Sequence, residues 1–389
     1  MDTKRKGKTL YCKVCHKKTK HHSETDRKEK PTLLANYGNL SFNSHILFSW
    51  HTEELFRRNK MKLPRWLWFE VTDKCNSRCQ ICNIWRKKPI PENDLLGFTR
   101  FFDILQSPLF KNVEYIINSG GEPTLVQDLR WVLMAEATAL PKATLQLSSN
   151  GILAEKLLDI VKHYLALNRK LDVGLSLDGI GYNHDVYRGA KGNFEKVDWL
   201  LKELKALNNP LLNISVGSTL TEYTVKHSKA LCEYAKKMDV FFMWHWFNKS
   251  AFYGNKEVPT QQHEWFQDAV LSVMSPSLYR DMWLKTLKTG KIPKFKCYAL
   301  MSFCVLKCNG DIVPCLNLWN ESIGNVKDAD PLTIWNSAKA KDTRGRIAYC
   351  EGCLNNWAVN WSLRSYPFKY PLYLWKAKQI LKEKLKLED

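Results

Sequence analysis

Between residues 66 and 250, six short apolar runs alternate with helix-like segments, and that rhythm admits few folds. The runs at 67–72, 113–118, 143–148, 171–177, 212–218 and 240–247 read as strands. Segments near 94–106, 127–138, 152–167, 194–207 and 224–237 carry helical spacing. Strand–helix repetition predicts a parallel sheet covered by crossover helices, an α/β fold. In barrels of such units, residues just beyond the strand C-termini face the active site. The chain of 389 residues can hold one large domain with one or two satellites, and 44% hydrophobic residues with 15 Trp supply a buried core.

The first strand runs into Cys75, Cys79 and Cys82, spaced C-x3-C-x2-C. A loop leaving a strand can wrap three thiolates around one small inorganic core. A [4Fe–4S] cube normally takes four thiolates, so three leave one iron open to a non-protein ligand. The competing reading is a structural zinc knuckle, but zinc prefers four tetrahedral ligands, usually offered as C-x2-C pairs.

The stretch Val71–Trp85 resembles the cluster-binding loop of radical S-adenosylmethionine (radical SAM) enzymes. The resemblance covers about residues 66–355 and implies a partial (β/α)6, TIM-like barrel. It implies that SAM chelates the open iron of a [4Fe–4S] cluster on Cys75, Cys79 and Cys82, the catalytic triplet. Reductive cleavage then yields methionine and a 5′-deoxyadenosyl radical that abstracts hydrogen from substrate. One residue departs from the family's habit: Ile81 stands before the third cysteine, where an aromatic residue often packs on adenine.

The other strand ends extend the likeness. Gly120-Gly121-Glu122-Pro123 looks like the family's GGEP element, which holds the SAM amino group. Ser149 and Asn150 sit in a turn similar to the one near the SAM sugar and carboxylate, although Asn150-Gly151 alone reads as a plain αL turn. Ser176 and Asp178 would project toward SAM ribose or substrate. Arg188 would take a carboxylate through its guanidinium fork, or form a structural ion pair with Asp185. His245, at the end of the last strand, reads as a core histidine or a substrate contact.

A second constellation follows at Cys297, Cys315, Cys350 and Cys353, spaced C-x12-G-x4-C and C-x2-C. Four thiolates close a cube, with zinc as the alternative metal. An Asn309-Gly310 turn in a β-hairpin would bring Cys297 and Cys315 together. The context resembles SPASM and twitch domains. With no cysteine after Cys353, the shorter twitch type with one auxiliary [4Fe–4S] cluster is the better match. Cys304 and Cys308 could replace Cys297 as ligands or pack as small hydrophobes, and Cys232 reads as core.

These readings divide the chain into a basic arm (1–60), the barrel (61–250), a helical connector (251–296), the cysteine-rich β-hairpin/helix module (297–360) and an aromatic-basic C-terminal helix (361–389). Cys12 and Cys15, with His21 and His22 nearby, offer either a zinc knuckle or a flexible basic arm. The net charge of +20 gathers at the ends: residues 1–30 carry eleven Lys/Arg against four acids, and the last 26 carry seven against three. Such ends read as solvated tails, or as contacts for an acidic leader peptide, an anionic membrane surface or nucleic acid. No basic–aromatic module for RNA is recognisable. A C-terminal segment rich in aromatic and basic residues suits either docking on the barrel or peripheral contact with the inner membrane face.

No run of 18 apolar residues and no signal-like N-terminus occur, and twelve cysteines point to metal ligation in a reducing compartment. The expectation is a cytoplasmic oxidoreductase or maturase that uses SAM, two clusters and an external one-electron reductant of the flavodoxin or ferredoxin type. Its substrate would be a peptide, with a small alcohol or sugar, or a lipid-linked or glycan substrate, as alternatives. A non-catalytic iron–sulfur or zinc protein that binds nucleic acid is the reading of a different class.

Overall fold

A computed structural model describes residues 10–11, 18–19, 63–258, 266–274 and 277–365. The chain divides into two units, Met1–Trp50 and His51–Asp389. In the first, Leu10–Tyr11 pairs antiparallel with Lys18–Thr19. Cys12, Cys15, His21, His22 and the segment 366–389 lie outside the described residues, and so do the zinc and membrane readings that rest on them.

The larger unit is built on one sheet. Its parallel strands are β1 (Trp66–Thr72), β2 (Tyr115–Gly120), β3 (Thr144–Ser149), β4 (Leu171–Ser176), β5 (Leu212–Leu220) and β6 (Phe241–Trp246), adjacent in chain order. Helices α1 (Phe98–Leu105), α2 (Leu129–Ala139), α3 (Ala154–Leu165), α4 (Tyr182–Arg188), α5 (Asn193–Ala206) and α6 (Ser228–Lys237) occupy the crossovers. This is the expected partial (β/α)6 architecture. The short helix α4 is an addition to it: seven residues show too few turns for a periodic signal.

Burial along the strands tells which face is packed. In β3, Leu145 and Leu147 are buried while Gln146 and Ser148 are half-buried. In β4, Val173 and Leu175 are buried while Asp172, Gly174 and Ser176 are half-buried. The aliphatic set packs under the helices, and the small polar set lines the concave face. A barrel interior filled by branched residues would be solid; on β3 and β4 the inward positions Gln146, Ser148, Gly174 and Ser176 are instead small or polar and only half-buried.

The cysteine-rich module continues the same sheet. Strand β7 (Phe303–Leu306) pairs parallel with β1, Trp66 opposite Phe303, and β8 (Asp311–Val313) and β9 (Gly324–Asn325) extend it antiparallel. The hairpin turns at Asn309-Gly310, as the sequence suggests, with Gly310 at φ +93°. Helices α7 (Phe266–Val273) and α8 (Leu278–Thr289) form the connector, and α9 (Pro331–Asn336), α10 (Ala338–Ile347) and α11 (Asn356–Arg364) complete the module. Trp361 on α11 stacks on Trp66 at 5.8 Å and meets Phe303 at 5.5 Å. Stacked buried aromatics of this size dominate local packing energy, so module and barrel share one core.

Candidate active site at the strand C-termini

The loop after β1 carries Cys75, Cys79 and Cys82, all half-buried. Burial holds the Cys75 thiol up at about 11 and Cys82 at about 12, and the neighbouring cysteines push each further in that direction. Thiols so placed stay protonated unless a cation joins them. An iron cluster supplies that positive charge, since coordination deprotonates a thiol outright. The donor chemistry therefore fits a cluster.

Gly120-Gly121 meets this loop directly. Gly121 N donates to Thr72 O at 2.7 Å and Glu122 N to Lys74 O at 2.8 Å. A Cβ on Gly121 would stand 2.0 Å from Lys74 O. The glycines let backbone approach backbone, where the sequence suggested approach to a ligand. Glu122 also has a different setting from the expected one. It is 1% exposed, and its carboxylate accepts from Thr124 N, Thr124 Oγ1 at 2.6 Å, Ser149 Oγ at 2.8 Å and Asn150 N at 2.7 Å. Asn150 Nδ2 in turn donates to Asn76 Oδ1 in the cysteine loop at 2.8 Å. Pro123 is buried at the start of a short 3-10 turn.

The fourth strand end joins the same network. Arg188 pairs with Asp178 at 2.6 Å, not with Asp185, and its Nη1 lies 3.6 Å from Cys79 Sγ. Asp185 instead accepts from Gly192 N and Phe194 N at the start of α5. Burial alone would lower the Arg188 pKa, but Asp178 and Cys79 raise it on balance. Asp178 N donates to His184 Nδ1 at 3.1 Å, and His184 Nε2 faces Asn193 Oδ1 at 3.1 Å. Ser176 ends β4, half-buried and in register with Gly217. His245 sits against Gly217, where an added Cβ would be 2.7 Å from Nε2, and burial lowers its pKa to about 4. It is a neutral imidazole on the concave face. His184 belongs to the Ser-Leu-Asp-Gly…His-Asp…Arg-Gly run that resembles the family. Its partner Asn193 and the network residues Asn76 and Ser218 were not singled out from the sequence, because common polar residues carry no spacing signal.

In the second set, Cys297, Cys315, Cys350 and Cys353 each lie in the others' fields: Cys315 and Cys353 are raised by burial first and then by neighbouring thiols, Cys315 to about 12. Cys304 and Cys308 stand apart. Cys304 is fully buried on β7 near Arg344, and Cys308 Sγ donates to Glu70 Oε2 at 3.3 Å. Among the described residues, no three His, Cys, Asp or Glu side chains converge on a single-ion site.

Comparison with known proteins agrees with this geometry. The radical SAM superfamily model matches residues 69–232, and the SPASM iron-sulfur cluster-binding domain model matches residues 297–354. The chain belongs to the radical SAM superfamily and carries a SPASM domain. The sporulation killing factor maturation protein SkfB of Bacillus subtilis is 26% identical over 161 residues, 41% of this chain and 37% of that protein. The antilisterial bacteriocin subtilosin biosynthesis protein AlbA of Bacillus subtilis is 23% identical over 328 residues, 78% of this chain and 70% of that protein. The chain spans less than half the length of several curated relatives it matches. The solved structure of Streptococcus suis SuiB bound to S-adenosylmethionine shares the fold, with TM-score 0.58 and 16% identity over 78% of this chain and 76% of that one. No helix among the described residues is long and apolar enough to cross a membrane.

Proposed function

We propose that this radical SAM protein oxidises or crosslinks a ribosomally made peptide. The single observation that carries the reading is the pairing of an incomplete thiol set with a complete one: Cys75, Cys79 and Cys82 on the barrel, and Cys297, Cys315, Cys350 and Cys353 on the SPASM domain. When bound, a three-thiolate cluster with SAM supplies a hydrogen-abstracting radical, and a four-thiolate cluster supplies an acceptor for the electron the substrate then gives up.

The chain's own residues prepare that chemistry. The loop of Cys75–Cys82 is held by Gly121, Glu122, Asn150 and Arg188, so the thiols are fixed before any ligand arrives. Backbone groups at Gly120–Pro123 would receive the SAM amino group, with the turn at Ser149-Asn150 and the end of β4 beside its sugar. The half-buried face of Ser148, Gly174, Ser176, Gly217 and His245 would hold the reacting segment. A peptide is favoured by the names of two relatives, a killing-factor maturation protein and a bacteriocin biosynthesis protein, and by basic ends suited to an acidic leader. An external one-electron reductant is required by the chemistry.

Peptides encoded beside the gene, incubated anaerobically with the reconstituted protein, SAM and reductant, test this by mass spectrometry. Loss of two hydrogens per modified site is expected. SAM cleavage with every such peptide unaltered would contradict a peptide substrate.

A further inference from the structure

Arg188 closes α4 with its guanidinium shared between two partners. Nε donates to Asp178 Oδ2 at 2.6 Å, and Nη1 reaches Cys79 Sγ at 3.6 Å, within range of an N–H···S hydrogen bond. Asp178 is fixed from behind by Ser218 Oγ at 2.8 Å and Thr219 N at 3.2 Å. The main chain repeats the contact. Arg78 N donates to Arg188 O at 2.9 Å and Gln80 N to Tyr187 O at 3.0 Å, so the residues on both sides of Cys79 are tied to the end of α4. Gly189 follows at φ +60°, where a Cβ would stand 2.6 Å from Arg78 O. Five hydrogen bonds thus surround one Arg–Cys contact: the main-chain pair fixes the end of α4 against the cysteine loop, and the anchored Asp178 holds the guanidinium toward the sulfur.

We propose that Arg188 is a positioning residue that sets the reduction potential of the cluster on Cys75, Cys79 and Cys82 by donating to the Cys79 sulfur. The inference rests on reading that triplet as a cluster site. Reduction adds negative charge to a cluster and its ligand sulfurs. A hydrogen-bond donor carrying a permanent positive charge stabilises the reduced form more than the oxidised one, and the potential rises. Guanidinium stays charged throughout the accessible pH range, so the effect does not titrate away. A role confined to binding a carboxylate of SAM would act only with SAM present. The Cys79 contact exists without it, and the two roles separate on that point.

The test is anaerobic reconstitution of the wild-type chain, Arg188→Gln and Arg188→Lys, with iron analysis and a potentiometric titration followed by EPR without SAM. The barrel cluster is identified afterwards as the one whose signal changes when SAM is added to the wild type. Arg188→Gln is expected to keep its iron content while its SAM-free midpoint moves to more negative potential. Arg188→Lys keeps a charge without the fork and should fall between the two. A fully loaded Arg188→Gln cluster with the wild-type SAM-free midpoint overturns the proposal, even if SAM affinity has fallen. Should Arg188→Gln fail to assemble, Arg188→Lys decides by the same criterion. A wild-type chain that assembles no cluster at the triplet would overturn the underlying functional reading instead.

Discussion

The Asn150 amide donates to Glu122 Oε2 at 2.7 Å, which makes the loop after β2 and the turn after β3 a single unit. The same carboxylate takes Ser149 Oγ and both Thr124 donors. Glu122 therefore acts on the cysteine loop through Asn150 and Asn76. Replacing it with alanine strands four donors in a buried setting. Each buried donor without a partner costs about 1–3 kcal/mol, with partial relief from water entering the gap. Glu122→Ala should lose about 3 kcal/mol or more in urea denaturation, and Glu122→Gln less. A loss under about 1 kcal/mol would mean that the unit is held by other contacts.

Gly121→Ala probes the approach of backbone to backbone. Its Cβ would fall 2.0 Å from Lys74 O, and the main chain on both sides is hydrogen-bonded in place. The GGEP loop must then move away from the cysteine loop. A destabilisation of at least about 2 kcal/mol is expected, together with weaker iron retention during gel filtration. Wild-type iron retention would show that the contact is dispensable.

His184 gives the fold a pH dependence whose sign is fixed by its neighbours. Nδ1 accepts the Asp178 amide, so the ring is the Nε2–H tautomer and donates to Asn193. A proton on Nδ1 would face an N–H donor. Burial chiefly, helped by Arg188, lowers the pKa from 6.5 to about 4, with Asp178 and Asp185 opposing. The unfolded chain thus binds the proton first, and stability is lost as pH falls from about 6.5 to about 4. At about 1.4 kcal/mol per pKa unit the loss approaches 3 kcal/mol. Glutamine can accept from Asp178 and donate to Asn193 without titrating. The stability difference between wild type and His184→Gln should therefore change by that amount between pH 7 and pH 4. A constant difference would contradict the assignment.

The cysteines sort by iron count. Cys304→Ala and Cys308→Ala should retain the wild-type iron content, because neither lies in the field of the SPASM quartet. Cys315→Ala or Cys353→Ala should lose about four irons, one cube. Loss of iron in Cys308→Ala would place it among the ligands and move one of the four out.

Strand positions were legible because parallel strands buried under helices read as short apolar runs. Expected 143–148 and 171–177 became Thr144–Ser149 and Leu171–Ser176. The cysteine triplet and quartet stood out as candidate ligand sets from their spacing together with the family resemblance, with Cys304 and Cys308 left as alternatives. What the sequence concealed is long-range: β7 joining β1 more than 230 residues away, and Cys308 held by Glu70 across the same seam. No local pattern encodes such a pairing. Arg188 was recognisable as a functional arginine, yet the sequence offered a ligand carboxylate or Asp185, three residues before it on the same helix, as its partner. The observed partner Asp178 lies ten residues back, before that helix begins. Only the positions of β5 and the cysteine loop decide it.

The central claim is one open cluster and one closed cluster on a single chain, working on SAM. Anaerobic reconstitution followed by metal analysis, with SAM and dithionite then added, tests it most directly. About eight irons per chain and release of 5′-deoxyadenosine are the predicted result. Two zincs per chain and intact SAM would contradict it.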